Sequence, residues 1–388
     1  MILGSRCGRE TAVASTYTRG SCRTDELPSL VELANLVFRG RRPGDMGREY
    51  PLVFEEPNLE QLRIARAGAE IVSHVGISIR DASVLGAPIR VASIGAVCTH
   101  PDHRGHGLAS DLMDDAVAHS RAAGASLMLI SGGRGLYHRL GYVEVGEFIA
   151  TSAASLGPVS AEYDVAPIAP ADVPGVIALH QTEPVRFLRS RSDWDKLIAA
   201  GRLMNQAADL LVVRCAGSLV AYAGVQPPAE GAPVVRARVR EIGGSRSALA
   251  AALPAIAARF GATEADAVTL AWDREWEEQA AARGWTTTRV AFPGTLGVID
   301  PERFLAAVRP LLDERSGGAV TLAAEGPGGV LTAAGETVRL ETMGMLTALL
   351  FGGNTAEAGM LPPLSGGVRG ALLGVLPLPL LWYGYNYV

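Results

Sequence analysis

Cysteine is scarce in this chain: four in 388 residues, at Cys7, Cys22, Cys98 and Cys215, with no CxxC pair. That scatter excludes a disulfide framework and a cysteine-based zinc site, so a cytoplasmic protein without a metal is expected. An excess of basic charge is also lacking, since 35 Lys+Arg against 40 Asp+Glu give a net charge of −5. Affinity for nucleic acid rests on clustered cations, and nucleic acid is therefore not an expected partner. Charged residues make up 19% and hydrophobic ones 48%, a balance that belongs to packed globular chains and not to disordered ones. The stretch from Met1 to Thr18 lacks the basic-then-apolar order of a secretion signal. One uncharged run of 19 residues, Gly370 to Val388, approaches the length of a membrane span. Pro377, Pro379, Gly384 and Asn386 would break a lipid-facing helix there, and no membrane association is expected.

A chain of 388 residues exceeds the usual single domain. Residues 1–16 show no periodicity and read as a loose extension. A short strand over 17–22 precedes a helix that Asp25 or Ser29 could cap, with Leu30, Leu33, Leu36 and Val37 as its buried stripe. Strand-like runs follow at 62–66 and 71–79, joined by the Ala67-Gly68 turn, and at 89–99. These form a twisted, antiparallel sheet. From Leu108 the apolar residues Ala109, Leu112, Met113, Ala116 and Val117 fall on one helical face that should end near Gly124. A strand at 127–130, a Gly132-Gly133 loop and a brief helix at 136–140 close this unit near Ala150.

The chain then repeats itself. Residues 66–77 resemble 214–225 at an offset of 148, and the same offset carries Val91, Ile94 and Gly95 onto Val239, Ile242 and Gly243. Gly141-Tyr142 finds a counterpart in Gly284-Trp285. Two copies of one fold are expected, with one difference. After Thr99 the first copy runs His-Pro-Asp-His-Arg-Gly-His-Gly107, whereas the second passes from Gly244 through Ser-Arg-Ser straight into an alanine-rich helix. From about Phe292 a third region shows a helix at 301–312, strand-like runs at 319–324, 330–332 and 337–341, and an apolar helix at 343–351, the pattern of a small α+β domain.

A strand, then Arg104-Gly-His-Gly107-Leu-Ala109, then a helix, is a device for holding phosphate. Glycines let the backbone approach an anion, successive N–H groups converge on it, the helix start adds partial positive charge, and Arg104 can add a charge-assisted bond. The chain has no GxxxxGK[ST] run, and Ser110 stands at the third glycine position of GxGxxG, so a P-loop and a dinucleotide fingerprint are both excluded. His100, His103 and His106 sit three apart, but no carboxylate or cysteine completes a metal-ligand pattern.

The segment Val97 to Ala109 resembles the RxxGxG/A acetyl-CoA motif of GNAT acetyltransferases, and Leu136-Tyr-His-Arg-Leu-Gly-Tyr142 resembles the second signature of that family. The resemblance covers roughly residues 17–150. It implies acetyl-CoA as acyl donor, with the pyrophosphate held in the Arg104-Gly105 loop by the backbone N–H groups of His106, Gly107, Leu108 and Ala109. It further implies that Ala96, Val97 and Cys98 pair with the pantetheine arm and that Tyr137 is the general acid. A departing thiolate has a conjugate-acid pKa near about 8.5 and a phenol about 10, so the match is chemically sensible. The whole layout is similar to the enhanced-intracellular-survival branch of the family. That likeness implies an α/β (α+β) chain of tandem GNAT folds with mixed twisted sheets: a catalytic unit at 17–152, a degenerate one at 153–291, and a sterol-carrier-protein-like domain at 292–388. It also implies a homo-oligomer, and the C-terminal carboxylate, here that of Val388, as general base.

The expected function is N-acetyl transfer to a small-molecule or peptide amine by direct attack on the thioester. An amine of pKa about 10.4 is almost wholly protonated at neutral pH, so a base is needed. A ping-pong route through Cys98 lacks an assignable histidine and acid pair. The alternative reading is a non-catalytic acyl-CoA or lipid-binding sensor, whose terminal region holds an apolar ligand.

Overall fold

Alternating branched residues build the first sheet from β1 (Tyr17–Ser21), β2 (Leu62–Ala67), β3 (Glu70–Val84), β4 (Ala87–Thr99) and β5 (Leu127–Ile130). The structure, a computed structural model, describes residues 17–40, 44–228, 231, 235–352 and 360–388, and the extension expected over 1–16 lies outside them. The strands hydrogen-bond in the order β1-β2-β3-β4-β5, antiparallel until β4 and β5, which run parallel. A parallel neighbour needs a crossover, and α3 (Leu108–Ala122) supplies it. This helix buries Leu108, Leu112, Met113 and Ala116 on one face of the sheet. The other face is covered by α1 (Leu27–Phe38) and α2 (Met46–Glu49). Neither Asp25 nor Ser29 caps α1. Instead a 3-10 turn, Thr24–Glu26, leads into it, with the Glu26 carboxylate accepting from the Arg23 N–H at 2.9 Å. The buried stripe of α1 is Leu30, Leu33 and Ala34, while Leu36 is 50% exposed. A short α4 (Gly135–Arg139) follows β5.

The second unit repeats this plan. In chain order it contains β6 (Glu147–Ala153), β7 (Tyr163–Pro167), α5 (Val173–Thr182), β8 (Val185–Phe187) and α6 (Arg191–Ala200), then the hairpin β9 (Arg202–Leu203) and β10 (Gln206–Ala207). β11 (Asp209–Cys215), β12 (Ser218–Gln226), β13 (Arg236–Gly244), α7 (Arg246–Arg259), β14 (Glu264–Leu270), α8 (Arg274–Ala282) and β15 (Thr286–Ala291) complete it. The sheet order is β7-β11-β12-β13-β14-β6-β15, with β13 and β14 parallel as β4 and β5 are. The pair β11–β12 occupies the position of β2–β3, as the internal repeat of 148 residues requires.

The units exchange strands. β6, assigned from the sequence to the first unit, inserts between β14 and β15 of the second sheet. β16 (Thr295–Val298), expected in the terminal region, crosses back and pairs antiparallel with β5. The outer side of each parallel pair is thus covered by a strand from outside that unit's expected segment, and the sheets end instead at β16 and β15. β6 thus lies across the boundary expected at 152, and β16 just beyond the one expected at 291. β8 also leaves its unit and pairs with β3.

The remaining segment carries α9 (Pro301–Ser316), β17 (Val320–Glu325), β18 (Gly328–Ala333), β19 (Glu336–Leu340), α10 (Met343–Gly352) and α11 (Gly366–Leu372). Its three strands form a separate antiparallel sheet. One apolar cluster runs without a break from Ile89 and Val91 of β4 through Phe304 and Phe351 to Leu380 and Tyr383. Among the described residues no helix is long and apolar enough to cross a membrane. The uncharged run from Gly370 is the end of α11, an irregular stretch and a 3-10 turn, Gly384–Asn386.

Candidate active site

After β4 the chain makes a 3-10 turn, Pro101–His103, and then needs two left-handed residues, which Gly105 (φ 82°) and Gly107 (φ 75°) supply. Gly107 is the N-cap of α3 and has no side chain with which to cap it. Among the described residues the N–H groups of Gly105, His106, Gly107, Leu108 and Ala109 therefore have no acceptor. Five free N–H groups at a helix start make an anion site. They line a groove of about 440 Å³ whose other walls include Val97, Cys98, Arg134 and Tyr137. Arg104 reaches over it, its Nε–H donating to the Thr99 carbonyl at 3.3 Å. His103 is occupied by the Tyr17 hydroxyl at 3.2 Å, and His106 packs on the Tyr17 ring.

The groove continues into a wedge between β4 and β5. In the β3–β4 ladder Gly76 faces Gly95 but His74 faces Cys98, so a bulge falls at Ala96 and Val97, with Ala96 in the left-handed region at φ 51°. The parallel β4–β5 ladder ends at Ile94–Ile130, and from there the strands diverge. The bulged backbone of Ala96 to Cys98 thus borders an open edge where an extended arm bearing amides can add as a strand would. Burial pushes the Cys98 thiol up to about 12, and nearby Arg134 and Arg104 only partly oppose it, so the thiolate a ping-pong nucleophile needs is not formed at neutral pH. Tyr137, on α4, is buried. Its phenol is raised by burial against a smaller lowering from Arg134, which keeps it protonated and able to donate.

On the α1 face of the same bulge ends the chain. Val388 lies directly over Gly95, where an added Cβ would overlap its carboxyl group. The Ser131 hydroxyl donates to the Val388 oxygen at 3.0 Å, and the surroundings are the apolar side chains of Val53, Phe54, Ile71 and Tyr387. Ser131 stands directly after β5, and Tyr137 reaches back to within 3.9 Å of the Cβ position of Gly132. The residues nominated from the sequence therefore gather around one bulge: the loop and Tyr137 along the groove, and Val388 behind Gly95. Ser131 was not singled out. It belongs to no motif, and only the tail's arrival gives it a role. Among the described residues no cluster of three or more His, Cys, Asp or Glu could hold a metal ion.

The equivalent place in the second unit is closed by the protein's own groups. α7 is capped by the Ser245 side chain, which accepts from the Ala248 N–H at 3.2 Å. Glu183 supplies the anion: its carboxylate accepts from the Gly244 N–H at 2.9 Å and from Arg246 at 2.6 and 2.9 Å, and Arg246 also donates to Asp273 at 2.7 Å. The β12–β13 ladder is regular where the first sheet bulges and shifts register instead at Gly224/Val225.

Diverging parallel strands, a glycine loop with free N–H groups and a buried tyrosine form one continuous groove. Residues 21–145 match the family model of the acetyltransferase (GNAT) domain, and this part of the chain is a GNAT acetyltransferase domain, which makes the protein an acyltransferase. Among solved structures it is similar to Eis1 from Mycobacterium abscessus at 14% identity, covering 94% of this chain and 99% of that one with a TM-score of 0.65. It is also similar to a GCN5-related N-acetyltransferase from Anabaena variabilis (14% identity, 83% and 84% covered, TM-score 0.60). A third likeness is to a GCN5-related N-acetyltransferase from Kribbella flavida (16% identity, 84% of each chain, TM-score 0.57). At such identity the likeness is one of fold. No curated protein matches the chain by sequence.

Proposed function

We propose that this protein transfers an acetyl group from acetyl-CoA to an amine by direct attack on the thioester. The pyrophosphate would sit on the N–H groups of Gly105 to Ala109 beside Arg104, and the pantetheine amides on the bulged edge of Ala96 to Cys98. The Val388 carboxylate would take the proton released by the attacking amine, and the Tyr137 phenol would hydrogen-bond the departing thiolate. The observation that carries this reading is the seating of a carboxylate behind Gly95 at the bulge, in apolar surroundings that leave it few other partners. In this reading residues 17–152 are the catalytic unit, with β16 lent to it, 153–291 a unit without donor chemistry, and 292–388 the source of the base. The acceptor is a small-molecule or peptide amine. A cytoplasmic setting accords with the free thiols of Cys22, Cys98 and Cys215, and a homo-oligomer with the resemblance to the branch.

The test is thiol release from acetyl-CoA against a panel of amines, with wild type, Tyr137→Phe and a deletion of Val388. Amine-dependent release should fall at least about tenfold in each variant, the range over which acid–base groups contribute. Tight acetyl-CoA binding with no turnover on any amine would identify a sensor instead.

A further inference from the structure

The second unit keeps the sheet and lacks the phosphate loop, and the chain's own tail lies against β12 and β13. The Tyr385 ring comes within 3.0 Å of the Cβ position of Gly224, on the strand equivalent to β3. The Tyr385 N–H donates to Glu241 at 2.9 Å, the Gly384 carbonyl accepts from the Met204 N–H at 3.1 Å, and the Asn386 side-chain oxygen accepts from Arg189 at 2.6 Å. Gly384 is left-handed (φ 52°), and a Cβ there would overlap the Glu241 carboxylate. Arg189 and Glu241 pair with each other at 2.9 Å, their side chains only 2% and 9% exposed. A buried ion pair gains little net stability over an apolar replacement, so its use here is better sought in geometry. Two residues beyond Asn386 the chain ends, within about 7 Å of backbone.

We propose that the second unit's sheet, at Gly224 and Glu241, is a dock for residues 384–386, and that Arg189 and Glu241 are positioning residues that set the Val388 carboxylate against Gly95. The inference rests on the reading of Val388 as base. It explains why a unit without donor chemistry keeps a buried Arg189–Glu241 pair: what the pair holds is the peptide that completes the neighbouring site.

Three variants of the full chain test it: Asn386→Leu, which removes the acceptor facing Arg189, Asn386→Asp, which keeps one, and a one-glycine extension after Val388. The first readout needs no turnover: trimming by a carboxypeptidase, followed by mass spectrometry. Wild type and Asn386→Asp should resist, while Asn386→Leu loses Val388 at least about tenfold faster at a temperature where melting curves show all variants folded. Equal trimming of Asn386→Leu and wild type overturns the dock. The second readout is steady-state acetyl transfer to the fastest amine of the panel. Asn386→Leu should lower kcat at least about tenfold with KM for acetyl-CoA unchanged, and Asn386→Asp should restore it to within about threefold. If the glycine extension abolishes turnover while Asn386→Leu keeps wild-type kcat, the positioning role fails and the base reading stands. If the extension turns over as wild type does, the base reading fails and takes the inference with it.

Discussion

Gly95 has no side chain, and the Val388 carboxyl group takes the space one would fill. Its φ is not in the left-handed region, so alanine costs nothing in the backbone, and the effect of Gly95→Ala is confined to what it pushes away. We expect kcat to fall at least about tenfold while acetyl-CoA affinity changes less than about twofold, checked by steady-state kinetics beside a binding titration. Two buried histidines set a further expectation. Burial lowers His74 to about 4 against a smaller raising by the Ala96 carbonyl, and burial followed by Arg189 lowers His180 to about 4. Both rings are neutral in the folded chain. Since their folded values lie below the unfolded one, the stability they lend is complete above about pH 6.5 and is lost as pH falls toward 4, roughly 3 kcal/mol for each. The melting temperature should drop steeply over that window, and His74→Asn, which keeps a donor for the Ala96 carbonyl but cannot titrate, should flatten the drop. At this scale the loop residues Arg104 to Ala109 and Tyr137 could be nominated as candidates, because they belong to motifs of fixed spacing, and the structure brings them to one groove. Ser131 and His74 were not: their importance comes from what other parts of the chain bring to them.

The elements divide in the same way. α3, β5 and α4 were readable because their apolar spacing and their glycine stops agree. α1 buries Ala34 where Leu36 was expected, positions that lie about half a turn of the helix apart. The start of α3 and the start of α7 form a natural contrast. In α3 the cap is a left-handed glycine with no side chain, so Gly107→Ala should raise the Kd for acetyl-CoA at least about tenfold and cost about 1 kcal/mol in backbone strain. In α7 the anion is built in, and Arg246→Leu strands the Glu183 carboxylate in the interior. That loss should reach about 3–5 kcal/mol, measured by denaturant unfolding, with no direct effect on donor binding. Sequence comparison located the missing glycine loop of the second copy correctly. It did not show that Glu183 fills the vacated place, because Glu183 lies far from the loop in the chain and only the fold of α5 and β8 delivers it.

For the whole molecule, the repeat was legible and the exchange was not. A period of 148 residues reports that two sheets exist, yet β6 and β16 are apolar strands that look alike wherever they pair. The connections into them pass through Gly146, packed on Leu380, and Gly294, packed on the Ile130 carbonyl, where there is no room for a side chain. A fragment ending after Gly146 should therefore lack β16 and expose the β5 edge, and we expect it to aggregate where the full chain stays dispersed, as light scattering would show. Synthesis on the ribosome meets the same condition. β5 emerges about 170 residues before the strand that covers it, which at about 5–20 residues per second is a delay of roughly 10–30 s. Through that interval the nascent first unit carries an open parallel pair, and its maturation is timed by the arrival of distant sequence, so that slow codons or a pause between residues 147 and 295 would lengthen the chain's exposure without altering the finished protein.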